Sequence, residues 1–258
     1  MAKSTGAGRA RLLDRANYIL LPETAHGKDE YGRIYVAAHR LAAEPFVVRH
    51  TEEGLGFKVN NTGREKCGKR YIGDVIWEDA LKLNLLLNGE TLSIRRFIDF
   101  EQILEDGIRG TDKVYDGRGK RIRDVKELRS IYDEVFEVRT PSRGEFLDAK
   151  FVPSENGIEI NYSHSLNRGK LVAGKREKLE LGLMEKIKIS KYNFNRRSLP
   201  VIEAEIYFYP PSMNSKSVAG FGAGSDGMYL FCFGNPSGTV ASLGVRHARK
   251  NFDFGEEK

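Results

Sequence analysis

The stretch that decides the fold is DVIWEDALKLNLLLNG, residues 74–89. Its apolar residues recur three or four positions apart, as on one face of a helix: Val75, Ile76, Ala80, Leu83 and Leu87. Asp74 is a suitable N-cap, and Asn88-Gly89 is a typical stop signal. The stretch therefore predicts an amphipathic helix.

Two further helices are predicted immediately after it. The first begins at Thr91 or Ser93 and ends at Asp106-Gly107, and the second follows an N-cap at Asp124. The connection between the first pair of helices is short, so we expect them to form an αα-hairpin.

Strand patterns flank this helical centre on both sides. Runs with β-branched or alternating apolar residues share the features of strands: Tyr18 to Leu21, Ile34 to Ala38, Pro45 to Arg49, Gly56 to Asn60, Glu134 to Arg139, Glu145 to Val152, Ile158 to Tyr162, Val201 to Tyr209 and Met228 to Phe233. The sequence therefore predicts an α+β fold, with mixed, mostly antiparallel sheets, a central αα-hairpin and a β-rich C-terminal half.

The length and composition bound the organisation of the chain. The 258 residues, 40% of them hydrophobic, can bury a substantial core. Residues 1–16 are predicted to be a flexible basic arm, and residues 17–258 a single α+β domain, with an alternative sub-boundary near 107–123. No apolar run approaches the roughly 18 residues that a membrane helix needs, so no membrane partner is expected.

The two cysteines, Cys67 and Cys232, and the absence of an apolar signal segment near Met1 lead us to expect a cytoplasmic protein with reduced thiols. The sequence alone also allows the two cysteines to pair. No cluster of Cys and His suggests zinc. The glycine-rich stretch 220–227 lacks the lysine of a phosphate-binding loop, so no nucleotide cofactor is expected.

The positive charge is concentrated in one segment. Residues 166–198 hold ten basic and three acidic residues. The net charge of this segment, +7, exceeds the net charge of the whole chain, which is +6. Basic stretches interleaved with aromatics are typical of surfaces that contact phosphate backbones, although a solvated face whose lysine stems cover apolar surface has the same composition. The residues expected to bind nucleic acid are Lys175, Arg176, Lys178, Lys186, Lys188, Lys191, Arg196 and Arg197.

One constellation in the sequence has the chemistry of a metal site. Asp133 precedes the predicted strand from Glu134, and Asp148 lies in the next predicted strand with Lys150 two positions later. Alternation places Asp148 and Lys150 on the same side of that strand. Two carboxylates close together suit Mg²⁺ or Mn²⁺, and a lysine beside them can orient a water molecule. An exposed, charged hairpin edge would have the same pattern.

This arrangement, Asp133 followed by Asp148-Ala-Lys150, resembles the core hairpin of the PD-(D/E)xK nucleases over about 20 residues. Residue 132 is Tyr where the name of the superfamily has Pro. The resemblance implies that Asp133 and Asp148 bind the metal and that Lys150 assists catalysis. It also implies a further helical acid, for which Glu78 and Glu101 are both available.

The sequence therefore predicts a metal-dependent nuclease, or nuclease-like protein, that acts on the phosphodiesters of DNA or RNA. Two alternatives stay open. One is a nucleic-acid-binding protein without catalysis. The other is a structural protein that assembles into homo-oligomers through its apolar strands.

Overall fold

The structure is a computed structural model that describes residues 14–26, 29–55, 63–64, 70–138, 140, 142–155, 157–179, 187–189, 206–225, 227–240 and 242–252. These residues form four α-helices: α1 (Pro45–Leu55), α2 (Trp77–Leu86), α3 (Ile94–Arg109) and α4 (Val125–Phe136). The strands in the first part of the chain are β1 (Tyr18–Leu21), β2 (Thr24–His26), β3 (Asp29–Tyr31), β4 (Ile34–Ala37), β5 (Gly63–Arg64) and β6 (Arg70–Tyr71). Those in the second part are β7 (Arg143–Ser154), β8 (Gly157–Asn167), β9 (Lys170–Lys178), β10 (Ile187–Ile189), β11 (Ile206–Tyr209), β12 (Ser217–Gly224), β13 (Gly227–Gly234), β14 (Leu243–Gly244) and β15 (Ala248–Arg249).

The largest sheet lies in the C-terminal half. Its strand order is β10-β11-β13-β12-β7-β8-β9, and β14 also pairs with β7. Two of its pairings, β11 with β13 and β14 with β7, are parallel, and the others are antiparallel. A second sheet has the order β1-β4-β15. The predicted α+β class, with mostly antiparallel sheets and a β-rich C-terminal half, is confirmed.

The two faces of the large sheet carry different helices. On one face Leu147 and Phe221 join a core with residues of α3 and α4. On the other face Phe146 joins a second core with residues of α2, among them Trp77. Consecutive helices α2 and α3 therefore contribute to cores on opposite sides of β7, and the short connection between them passes from one face to the other.

The helices predicted after Asp74 and after Ser93 are present, but their ends differ from the predicted ones. Asp74 does not cap α2: it has a φ of 57°, and Ile76 occupies the N-cap without a side-chain hydrogen bond. Ser93 does cap α3, where its hydroxyl accepts a hydrogen bond from the backbone N–H of Arg96. The helix continues past Gly107 and ends at Gly110, whose φ of 76° suits a glycine C-cap.

Two predicted strands are wrong. Residues 45–49 begin helix α1, because Pro45 is well suited to the first turn of a helix and cannot donate in a sheet. Glu134 to Phe136 are the last turn of α4, because Val135 and Phe136 continue the buried face that Leu128 and Ile131 begin. The predicted strand 56–60 and the first 13 residues of the predicted arm lie outside the described residues.

Two sequence expectations concern the thiols and the membrane. Cys232 is a buried free thiol on β13, and burial raises the pKa of this thiol. Cys67 lies outside the described residues. Within the part of the chain that the structure describes, no helix is long and apolar enough to cross a membrane.

Candidate functional site

The β8–β9 hairpin carries the largest described part of the basic segment. Asn167 and Lys170 are paired at its end, and the two residues between them, Arg168 and Gly169, have φ values of 50° and 76°. Two successive positive φ values are those of a type I′ turn, whose twist matches the twist of paired strands. The hairpin is therefore a regular element, and its loop presents a basic residue.

The basic side chains of this hairpin are exposed: Arg168, Lys170, Lys175, Arg176 and Lys178. The one acid between positions 168 and 178, Glu177, accepts a hydrogen bond from the Tyr162 hydroxyl. At about 3.4 Å per residue, β9 spans roughly 30 Å. The structure thus presents a positively charged strip along β9, at one end of the sheet formed by the described residues. Alternation places Lys175 on the face of β9 opposite Arg176 and Lys178.

The structure divides the residues predicted to bind nucleic acid. It places Lys175, Arg176 and Lys178 together on β9, whereas Lys188 lies on β10, at the other end of the strand order. The remaining predicted residues lie outside the described part of the chain: Lys186, Lys191, Arg196 and Arg197. The basic residues that are close together in sequence therefore do not all lie on the same strand or at the same edge of the sheet.

Asp148 is buried in β7, and its partner is a histidine. One carboxylate oxygen accepts a hydrogen bond from the backbone N–H of His164 at 2.9 Å, and the other contacts the His164 Nδ1. Because an ionised carboxylate can only accept, the Nδ1 atom is the donor to it. Among the described residues Nε2 has no hydrogen-bond partner. Sequence analysis gave His164 no role.

The local backbone explains how Asp148 reaches His164. Register pairing between β7 and β8 ends at Lys150 and Asn161. Beyond that point Ser163 has a φ of 56°, and the N–H of Asp148 donates to the Leu92 carbonyl oxygen at 2.8 Å, outside the β7–β8 ladder. The separated strands leave a cleft of about 610 Å³.

The cleft combines the Asp148–His164 pair with cations from other elements. Its basic lining residues are Arg33, Arg96, Lys175 and Lys250. Two of them are already paired: Arg96 donates to Thr24 Oγ1 at 2.9 Å and contacts Asp99, and Lys250 lies 2.9 Å from Glu90. The Lys175 ammonium lies 5.7 Å from the centre of the Tyr162 ring. The carboxylates of Glu30, Glu90 and Asp148 also line the cleft, which can therefore accept a polar group.

Lys150 follows Asp148 on the same face of β7, as predicted. Its ammonium lies 5.9 Å from the centre of the Trp77 ring, and that ring also packs edge-on against His164. The Trp77 Nε1 donates to the Leu147 carbonyl oxygen at 2.8 Å. Trp77 of helix α2 therefore packs against the Asp148–His164 pair from the α2 side of the sheet.

The predicted hairpin between Asp133 and Asp148 does not form. Asp133 lies in helix α4, and β7 pairs with β8, β12 and β14. The two acids therefore do not lie on neighbouring strands. Within the described residues, no three His, Cys, Asp or Glu side chains are grouped as a metal site requires.

The two helical acids suggested by the resemblance lie apart. Glu78 is on α2 and forms an ion pair with Lys82 at 2.8 Å. Glu101 is buried in α3, on the other side of the sheet, where it accepts a hydrogen bond from the Tyr132 hydroxyl at 3.3 Å. Neither lines the cleft that contains Asp148.

A buried ionic network lies next to the Asp133 position and was not predicted. Arg246 donates to Glu145 at 2.7 Å and to Glu134 at 3.3 Å, and also to the carbonyl oxygens of Ala37 and Ala38. Burial tends to raise the pKa of Glu134, but the His39 hydrogen bond and the charges of Arg246 and Arg40 outweigh it and lower the pKa to about 2. The network joins α4 and β7 to the C-terminal segment.

Comparison with known proteins adds no assignment to this geometry: no protein-family model, no curated protein and no solved structure matches the chain.

Proposed function

We propose that this protein binds nucleic acid through the β8–β9 hairpin. The observation that carries the proposal is the exposed strip of five basic residues on a regular hairpin, with its single acid hydrogen-bonded to Tyr162. Phosphate backbones bind such strips because each neutralised phosphate releases condensed counterions. A length of roughly 30 Å is equivalent to about nine base pairs at 3.4 Å each.

The salt dependence of binding tests this proposal. If all five cations contact phosphates, log K should fall with log salt at a slope of about −4.5 on a duplex. The triple variant Lys175→Gln, Arg176→Gln, Lys178→Gln should flatten that slope by about 2.7, because each contact contributes about 0.9. Fluorescence anisotropy with labelled DNA and RNA, titrated at several salt concentrations, measures both slopes.

A matched control separates the hairpin from net charge. Lys113, Lys120 and Lys126 are exposed lysines far from the hairpin in sequence, and their replacement by Gln removes the same charge. This control variant should keep the wild-type slope. Equal flattening in both variants, or no binding by the wild type, would contradict the proposal.

Phosphodiester hydrolysis at Asp148 is a second candidate. One observation favours it: Asp148 and Lys175 line the same cleft, so a strand bound along β9 would pass near the carboxylate. A single carboxylate that already accepts two hydrogen bonds from His164 is a small donor set for Mg²⁺ or Mn²⁺. Binding without cleavage is therefore the first proposal.

Incubation of labelled DNA or RNA with the protein and Mg²⁺ or Mn²⁺ decides between them. Cleavage by the wild type that is lost in Asp148→Asn, with binding unchanged, would establish hydrolysis at this cleft. If the substrate stays intact under conditions in which it is fully bound, hydrolysis is excluded and binding without cleavage is supported.

A further inference from the structure

Five aromatic residues occupy one face of the neighbouring strands β11 and β13: Tyr207, Tyr209, Tyr229, Phe231 and Phe233. On these strands the residues at the intervening positions, such as Phe208 and Leu230, belong to the core on the opposite face. We call the five residues the aromatic platform. Their rings are neighbours: Tyr209 lies 5.8 Å from Phe233, and Phe231 lies 5.9 Å from Phe233, between ring centres.

The adjoining strand β12 lets the platform lie flat. Gly220 and Gly222 pair in register with Phe231 and Tyr229. A Cβ atom at Gly220 would lie 2.3 Å from the Phe231 ring, and one at Gly222 would lie 2.7 Å from the Tyr229 ring. The rings therefore extend over the glycine backbone, where any larger residue would displace them.

The platform is accessible to solvent. The Phe233 side chain is 55% exposed, and Tyr207, Tyr209, Tyr229 and Phe231 are partly exposed. On the opposite face of β13, Leu230 and Cys232 are fully buried. Phe231 also packs against the core that contains Trp77. The solvent-facing parts of the five rings form an apolar surface, and its arrangement points to a ligand with flat apolar faces.

The platform shares one face of the sheet with the part of the basic hairpin that carries Arg176. Residues opposite each other in register point to the same side. One register row contains Arg176, Asn161 and Lys150, and another contains Phe146, Gly220 and Phe231. Since Phe146 and Lys150 alternate on β7, both rows lie on the same face. Helix α2 also packs on this face, over Phe146 and Val218 of the intervening strands. Four strand spacings of about 4.8 Å separate β9 from β13, or roughly 19 Å.

We propose that this face binds single-stranded nucleic acid, with bases stacked on the aromatic platform on one side of helix α2 and phosphates on the β8–β9 hairpin on the other. This inference rests on the proposed function and specifies its substrate class. Stacking requires bases whose faces are exposed, which a duplex does not offer. The basic strip is complementary to a polyanion, which favours a nucleic acid over a neutral sugar or a second copy of this basic chain.

The test compares a labelled oligothymidylate with an abasic strand of the same length and with a duplex. The wild type should bind the oligothymidylate more tightly than the abasic strand. Phe233→Ala should weaken oligothymidylate binding by about fivefold to a hundredfold, the range for loss of one stacked base. Its binding to the abasic strand should not change, because that strand has no base to stack.

Two variants control for loss of structure. Phe233→Trp keeps a ring face and should retain binding, which a damaged fold would not. Tyr115→Ala removes a half-exposed aromatic from the loop before α4 and should leave every affinity unchanged. Circular dichroism confirms that each variant is folded before binding is measured.

Each outcome separates this inference from the proposed function. Equal binding of the duplex, the abasic strand and the oligothymidylate, unaffected by Phe233→Ala, would overturn the stacking site and leave the hairpin proposal standing. No binding of any strand would overturn both. Self-association that Phe233→Ala abolishes, with nucleic-acid binding intact, would assign the platform to contacts between copies and overturn the inference.

Discussion

Acid should destabilise this protein through one buried histidine, His247. Its side chain is fully buried, its Nε2 accepts a hydrogen bond from Arg249 Nε at 3.1 Å, and its Nδ1 lies 3.3 Å from Asn84 Oδ1. The arginine can only donate, so Nε2 must stay unprotonated and Nδ1 carries the proton. Protonation of Nε2 would place a second N–H against the guanidinium and an unpaired charge in the core.

The pKa of His247 gives the size of the effect. Burial, aided by the charge of Arg249, lowers this pKa from 6.5 to about 3. Between those values the unfolded chain binds a proton that the folded protein does not, so stability falls as pH drops below 6.5. At about pH 5, some 1.5 units below the unfolded value, the free energy of unfolding should be lower by about 2 kcal/mol. The lowered pKa of Glu134 acts only below pH 4.5, outside this window.

Urea denaturation at about pH 7.5 and about pH 5 measures this difference. Trp77, the single tryptophan and fully buried, provides the fluorescence signal. His247→Gln keeps an acceptor and a donor but has no proton to gain, so it should show a much smaller loss between the two pH values. Equal acid sensitivity of wild type and His247→Gln would refute this reasoning.

Two further substitutions test the buried charges and the platform. Arg246→Met should lower the free energy of unfolding by about 3–5 kcal/mol, because it removes the cation paired with buried Glu145 and one of the cations around Glu134, and urea denaturation measures the loss. Gly222→Ala should cost about 1–3 kcal/mol, because the new Cβ displaces the Tyr229 ring. Gly32→Ala, where a Cβ meets nothing within 4 Å, should be nearly neutral. Thermal melts of both variants measure the two costs, and an equal cost at both sites would contradict the close contact.

The sequence predicted most of the elements with strong periodicity. The helical spacing from Val75 to Leu87 and the cap at Ser93 placed α2 and α3 within a few residues. The strand patterns from Glu145 and Ile158 matched β7 and β8. These patterns are local, because each face is defined by side chains a few positions apart.

The error at Glu134 had a physical cause. Val135 and Phe136 fit two patterns: they alternate with Glu134 and Glu137 as in a strand, and they also complete the helical face of α4. Packing decided between them, because Phe136 lies 5.5 Å from Phe97 of α3 and 5.3 Å from Phe221 of the sheet. A single sequence does not show contacts at such separations.

The Asp148–His164 pair could not be predicted from residue types alone. The two residues are 16 positions apart, and they meet because β8 leaves β7 at a left-handed Ser163. The one local signal was the polar run Ser163-His-Ser165, which interrupts the apolar alternation that begins at Ile158. Such an interruption indicates where a ladder ends, although it does not identify the partner.

The aromatic platform had a clearer signal, distributed over two segments. Aromatics recur at every second position from Tyr229 to Phe233, and glycines recur at every second position from Gly220 to Gly224. On β12 the alternate positions, including Phe221, pack into the core against α3 and α4. At Gly220 and Gly222 this strand offers no side chains that could interdigitate with a helix, and α2 packs instead over Val218 near the start of the strand. The two glycines let neighbouring rings lie flat, which is the geometry that base stacking requires.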